Sequence, residues 1–152
     1  MSKNNNNFYK SWFNTPFYHI LYKNRDYKEA EMFAKELMGF INLPVKSKIL
    51  DLACGKGRHS IFLNKMGYNV TGVDISPKNI KEANEHKNEN LKFKIHDMRK
   101  PLNQKFDLVV NLFTSFGYFE DFEDNLKTLD SIKSNLKEHG LGVIDFLNIN
   151  YI

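Results

Sequence analysis

The sequence holds a single cysteine, Cys54, among 152 residues, which excludes an internal disulfide framework and fits a reducing compartment. No apolar run approaches the roughly 20 residues that cross a bilayer. The opening M-S-K-N-N-N-N lacks the apolar stretch of a signal peptide. A cytoplasmic location without a membrane partner is therefore the expectation. Blocks of five or more like charges are missing too: the formal net charge is +4, with lysines scattered among asparagines, so nucleic acid is not an expected partner. His19, His59, His86, His96 and His139 show no ligand spacing, and no metal is expected. Neither a Ser-His-Asp order nor G-x-S-x-G occurs, which removes the usual acyl-transfer chemistry. Cys54 has no paired base beside it in the sequence and reads as a small loop residue.

What is present is a core. Apolar residues make up 41% of the chain and aromatics 14%, enough for one folded domain at this length. Residues 1–47 read as an N-terminal tail and helical lid, and residues 48–152 as the main domain. The first seven residues are polar. Phe8, Tyr9, Trp12, Phe13, Phe17, Tyr18 and Tyr22 then crowd one short stretch, and Tyr27–Phe40 carries apolar residues at three-to-four spacing, as an amphipathic helix does. From Lys48 the pattern becomes regular. Strands are predicted at Lys48–Leu52, Asn69–Asp74, Leu91–His96, Phe106–Leu112 and Leu141–Leu147. Helices are predicted over Arg58–Met66, Pro77–Asn88 and Glu123–Lys137, the last ended by Gly140. Met98–Lys105 alone lacks a helical pattern. Strands alternating with helices imply right-handed crossovers and a doubly wound, mainly parallel α/β sheet, for which the expected strand order is 3-2-1-4-5.

With only eight glycines in the chain, Gly55 and Gly57 stand out, because they follow the first strand and precede a helix. Such a turn lets backbone approach a ligand, and the helix offers it free N–H groups. Ligands in open α/β sheets sit at the carboxyl ends of the strands, beside strand one. Those ends carry Asp51, then Asp74-Ile75, then Asp97-Met98, then Asn111-Leu112-Phe113. Asp74 lies at the distance past the glycines where a carboxylate meets an adenosine ribose. That fits NAD, FAD and S-adenosylmethionine alike. Asp51 separates them: a carboxylate ~6 Å from a pyrophosphate charge costs about 3 kcal/mol at an effective dielectric of 20, whereas a sulfonium and an ammonium are attracted. Ser60, where a dinucleotide fingerprint wants Gly or Ala, agrees. Asp97 can accept from an adenine amine, Ile75 and Met98 offer apolar faces to the ring, and Arg58 can hold a carboxylate bidentately.

The order I-L-D-L-A-C-G-K-G, V-T-G-V-D-I-S, I-H-D-M-R and F-D-L-V-V-N-L-F resembles the class I S-adenosylmethionine-dependent methyltransferases from about Lys48 to Leu147. The aromatic N-terminal stretch and N-L-F-T-S-F-G-Y-F resemble the small stand-alone members, which act on small molecules. The resemblance implies cofactor contacts from Asp51, Ala53, Gly55, Gly57, Asp74, Ile75, Asp97 and Met98. Cys54 and Arg58 in the loop, with Asn111 and Phe113 after strand four, complete the expected set. Methyl transfer by in-line displacement to nitrogen or oxygen is the implied reaction, leaving S-adenosylhomocysteine. Tyr18, His19, Tyr22 and Tyr118 are candidate bases. Ala53 stands where the family usually has glycine, and the N-P-P-aromatic motif of nucleic-acid amino-methyltransferases is absent. The family sheet continues past strand five with a helix and a hairpin, so a truncated fold is expected, with a homodimer through the sheet edge as one way to complete it. A weak or inactive cofactor-binding subunit and an NAD(P)-dependent oxidoreductase domain are the alternative readings.

Overall fold

The structure, a computed structural model, describes residues 27–146. Helix α1 spans Tyr27–Ile41, β1 Lys48–Leu52, α2 Arg58–Lys65, β2 Asn69–Asp74 and α3 Pro77–Ala83. A 3-10 turn at Asn84–His86 leads to β3 at Leu91–Ile95, followed by β4 at Phe106–Asn111, α4 at Phe122–Asn135 and β5 at Leu136–Ile144. The five strands form one sheet of order β3-β2-β1-β4-β5, and every pairing is parallel. This is the expected doubly wound architecture.

Period-2 alternation divides the core between the two faces of the sheet. On one face Ile49, Val70, Leu91, Leu108 and Val110 pack under α1, α2 and α3, with Ala30, Ala34 and Met38 of α1 in the same cluster. Those three recur every four residues, so a single stripe of α1 is buried. On the other face Leu50, Leu52, Val73 and Val109 pack against Ile132 of α4. Strand β1 lies at the centre, with Ile49, Leu50 and Leu52 fully buried. Phe93 ties α2 to the sheet: a Cβ at either Gly57 or Gly72 would lie 2.6 Å from its ring, so both positions must be glycine for the ring to fit.

Residues 98–105 form no helix, as their sequence predicts. Polar side chains of α4 hold this crossover instead. The Ser131 hydroxyl donates to the Lys100 carbonyl at 2.9 Å, and the Leu102 amide donates to Asn135 Oδ1 at 2.9 Å.

Several predicted boundaries need correction. The last helix ends at Asn135, not Lys137, and β5 begins at Leu136 where Leu141 was expected. Asn135 is fully buried and bonded to the crossover, while Lys105 Nζ donates to the carbonyls of Ser134 and Leu136, capping the helix before Gly140 is reached. The helix from Pro77 stops at Ala83, because Asn88 instead closes a tight turn with Leu91 through two backbone bonds. The third strand ends at Ile95, so His96 lies just beyond it. Leu147 and the aromatic stretch Phe8–Tyr22 lie outside the described residues.

Candidate active site

The loop after β1 is fixed by the backbone conformations its residues adopt. Ala53, Gly55 and Gly57 all have positive φ, at 63°, 58° and 79°. The Cys54 amide donates to the Val73 carbonyl at 2.9 Å, which holds the loop against β2. A Cβ built on Gly55 would meet none of the described residues within 4 Å, so among them bare backbone faces open space there.

That space is an open cleft at the carboxyl ends of the strands, lined by Ala53, Gly55, Asp74, Ile75, Asn79, His96, Asp97, Met98, Ser115, Tyr118 and Phe119. Asp74 is anchored there by three neutral donors. Gly55 N–H donates to Oδ2 at 2.9 Å, Ser76 N–H to Oδ1 at 2.8 Å, and the Asn79 amide to Oδ1 at 3.4 Å. Three donors fill three of about four acceptor positions, and the longest of these bonds is the easiest to exchange for a ligand hydroxyl. Burial raises the Asp74 pKa, and the Ser76 and Gly55 amides oppose that rise. Ser76 also caps α3 by accepting from the Asn79 amide.

Asp97 lines the same cleft in a different setting. Arg99 donates to it through the backbone N–H at 3.0 Å, through Nε at 3.0 and 3.1 Å, and through Nη2. Burial pushes the Asp97 pKa up, but the Arg99 hydrogen bonds and charge outweigh burial and hold it below the ordinary carboxylate value.

Several expected contacts lie elsewhere. Asp51 does not line the cleft: it is buried on the α2 face of β1 and accepts from the Ser60 hydroxyl at 2.6 Å. Burial raises its pKa to about 6, the Ser60 hydroxyl opposes that rise and the Asp74 charge adds to it. Its charge can therefore act on a ligand only from beneath the loop. Cys54 is buried, and burial, then the Asp51 and Asp74 charges, push its thiol pKa well up, the setting of a packed loop residue. Gly57 is occupied with packing on Phe93. Phe113 stacks on His59 at 4.5 Å, sits edge-on to Phe33 at 5.5 Å and has the Arg58 guanidinium 6.0 Å from its ring centre. These side chains form a second aromatic cluster, apart from the cleft lining. Asn111 is fully buried; its amide donates to the Leu52 carbonyl at 2.7 Å while its Oδ1 has no partner among the described residues.

Asn79, His96, Ser115 and Phe119 line the cleft without having been expected to. His96 precedes Asp97 and Asn79 lies in the first turn after Ser76, so both were adjacent to positions the sequence marks. Ser115 and Phe119 depend on the turn after β4, where Phe113 and Thr114 have φ of 56° and 60°. Such conformations are rare for bulky and β-branched residues. Of the candidate bases Tyr118 lines the cleft, while Tyr18, His19 and Tyr22 lie outside the described residues. Among the described residues no group of His, Cys, Asp and Glu could hold a metal, and no helix is long and apolar enough to cross a membrane.

The cleft fits an adenosine-bearing cofactor: bare backbone at Gly55, an acid with an exchangeable acceptor position, and the apolar Ile75 and Met98 along the wall. Comparison with known proteins agrees. A profile of the methyltransferase-domain family matches residues 44–149. Putative methyltransferase YqeM of Bacillus subtilis is 35% identical over 108 residues, covering 68% of this chain and 44% of YqeM. Glycine/sarcosine N-methyltransferase of Aphanothece halophytica is 33% identical over 134 residues, covering 84% and 49%. Among solved structures, an S-adenosylmethionine-dependent methyltransferase from Clostridium acetobutylicum superposes with a TM-score of 0.69 at 31% identity, over 84% of this chain and 55% of that one. The chain belongs to the class I S-adenosylmethionine-dependent methyltransferases, whose methyl donor is S-adenosylmethionine. It spans about half the length of the curated relatives it matches.

Proposed function

We propose that this chain transfers the methyl group of S-adenosylmethionine to a nitrogen of a small-molecule acceptor. The observation that carries the reading is Asp74, bonded to the Gly55 and Ser76 amides and facing the cleft beside bare loop backbone. Asp74 would accept from the ribose hydroxyls, and Ile75 and Met98 would flank the base. The negative charge of Asp51 beneath the loop would favour the cationic end of the donor. The donor supplies an activated methyl group, so the chain's own work is alignment and exclusion of water. The acceptor lone pair attacks the methyl carbon as the carbon–sulfur bond breaks, and the departing sulfur becomes neutral. The methylated ammonium product then sheds one proton to water, and Tyr118 at the cleft wall is the candidate hydrogen-bond partner that orients the amine for attack.

A nitrogen acceptor is supported by the relatives. One is the glycine/sarcosine enzyme; another is the sugar N-methyltransferase KedS8 from Streptoalloteichus, with a TM-score of 0.70 at 26% identity over 89% of this chain and 56% of that one. The test is incubation with methyl-deuterated donor and a panel of amino acids, amino sugars and matched alcohols, read by mass spectrometry. Labelled amine together with S-adenosylhomocysteine is the expected product. Label in the alcohols alone would refute the nitrogen assignment. Failure of the chain to bind S-adenosylhomocysteine in calorimetry would refute the cofactor reading.

A further inference from the structure

Arg99 carries no role in the reading above, yet it joins two residues of the cleft wall to an anchor outside it. Its backbone N–H, Nε–H and Nη2–H all donate to the Asp97 carboxylate. Its remaining arm, Nη1, donates to Asp124 in the first turn of α4. Its guanidinium carbon lies 4.9 Å from the centre of the Phe119 ring. Asp97 and Phe119 both line the cleft, and Asp124 does not. Asp124 is in turn held by Lys127 at 2.7 Å, so the fork has a fixed anchor outside the site.

The count of acceptor positions gives this arrangement a function. An ionised carboxylate has about four. Arg99 brings three N–H donors to Asp97, one of them shared between its two oxygens. About one position is left, and the planar fork fixes where it points. Without the fork a half-buried aspartate turns its oxygens toward water. With it, the carboxylate stays ionised and presents an acceptor in one direction.

We propose that Arg99 is the positioning residue for base recognition: it orients Asp97 so that its one open acceptor position reads the amino group of adenine, and the cleft thereby selects a 6-aminopurine over a 6-oxopurine. A 6-oxo base presents an acceptor at that edge, and two acceptors facing each other repel. The inference rests on the cofactor reading above, and its test is arranged so that the two can fail separately.

The experiment is calorimetric titration of the full chain with S-adenosylhomocysteine and with its deaminated inosine counterpart. Wild type is expected to prefer the amino form by roughly 30-fold or more, because the oxo form leaves a buried acceptor unpaired. Arg99→Met is expected to cut that preference to about fivefold or less, mainly by weakening the amino form. Arg99→Lys keeps the charge but not the fork, and is expected to recover affinity more than selectivity. Asp124→Asn leaves the cleft lining untouched and should reduce the preference severalfold. If Arg99→Met gives no cooperative melt, the Lys and Asn variants decide by the same ratio. A merely structural role would lower the melting temperature and leave the ratio at its wild-type value, and that result overturns the proposal. So does a wild type that binds both forms equally. A wild type that binds neither overturns the cofactor reading as well.

Discussion

On the β1–β2 side of the cleft the acids Asp51 and Asp74 are buried and bonded to neutral donors, a hydroxyl and backbone amides, and both have raised pKa values. On the β3 side Asp97 is gripped by a guanidinium and its pKa is lowered. The two sides solve different problems. Neutral donors fix geometry without cancelling charge, so the first side keeps a negative field for a ligand with hydroxyls and a positive end. A guanidinium cancels the charge and keeps only direction, which suits a neutral base. Every prediction below asks whether this division holds.

The largest effect is expected at Asp74. Replacing it by alanine removes the acceptor for the ribose and also leaves the Gly55 and Ser76 amides without their partner, so the loop keeps only its backbone tie to β2. Affinity for S-adenosylhomocysteine should fall by about 100-fold or more, roughly 3 kcal/mol for two charge-assisted hydrogen bonds. Isothermal titration measures it. A loss under fivefold would mean that the β1–β2 side does not carry the cofactor.

Next comes the packing that brings that side so close. Gly72→Ala would place a Cβ 2.6 Å from Phe93 and 2.9 Å from the Ser60 hydroxyl. A cost of about 2–3 kcal/mol in urea unfolding is expected from overpacking. Adding Phe93→Leu should return part of it, since the ring is the obstacle. No recovery would show that the β2 backbone, not the ring, sets the limit.

How much of this was legible beforehand follows from the same contrast. The parallel α/β architecture, the helix-free crossover and the place of Asp74 at the cleft were readable, because alternation and spacing along the chain specify them. Asp51 was readable as an acid near the loop but not as a buried one: its neighbour Ser60 is nine residues away and meets it only once α2 packs on the sheet. Arg99 was invisible as a site residue, since its meaning comes from Asp124, 25 positions further on. The end of α4 was misread for a similar reason, as Asn135 is bound by a crossover that no local pattern announces.

A smaller effect separates the two sides by pH. An Asp51 pKa near 6 in the folded chain lies above the ordinary aspartate value of 3.8. Between those values the folded state holds the extra proton, so this group makes stability fall as pH rises through that window. Asp51→Asn should flatten that slope in urea titrations at successive pH values. Binding runs the other way: lowering pH from 7 to 5 neutralises Asp51 and should weaken the cationic donor by up to roughly tenfold. Asp97, held below the ordinary value, stays ionised across that range. Ser60→Ala removes the bond that opposes the rise and should move the binding midpoint upward. A midpoint unmoved by both substitutions would detach Asp51 from the cofactor.

The smallest effect concerns a strain the loop keeps. Ala53 sits at a φ of 63°, left-handed backbone that a Cβ disfavours, yet it lines the cleft between β1 and the bare backbone at Gly55. Glycine there would remove the strain while adding freedom to the unfolded chain, two terms that partly cancel. Ala53→Gly is therefore expected to stabilise the fold by about 0.5–1 kcal/mol in urea unfolding. Cofactor affinity should stay within about twofold, since the amide that grips Asp74 belongs to Gly55. A stabilised variant with much weaker binding would show that the Ala53 side chain itself touches the ligand. A destabilised one would show that the Cβ packs well enough to outweigh its backbone, and that the β1–β2 side draws on side-chain contacts as well as backbone geometry.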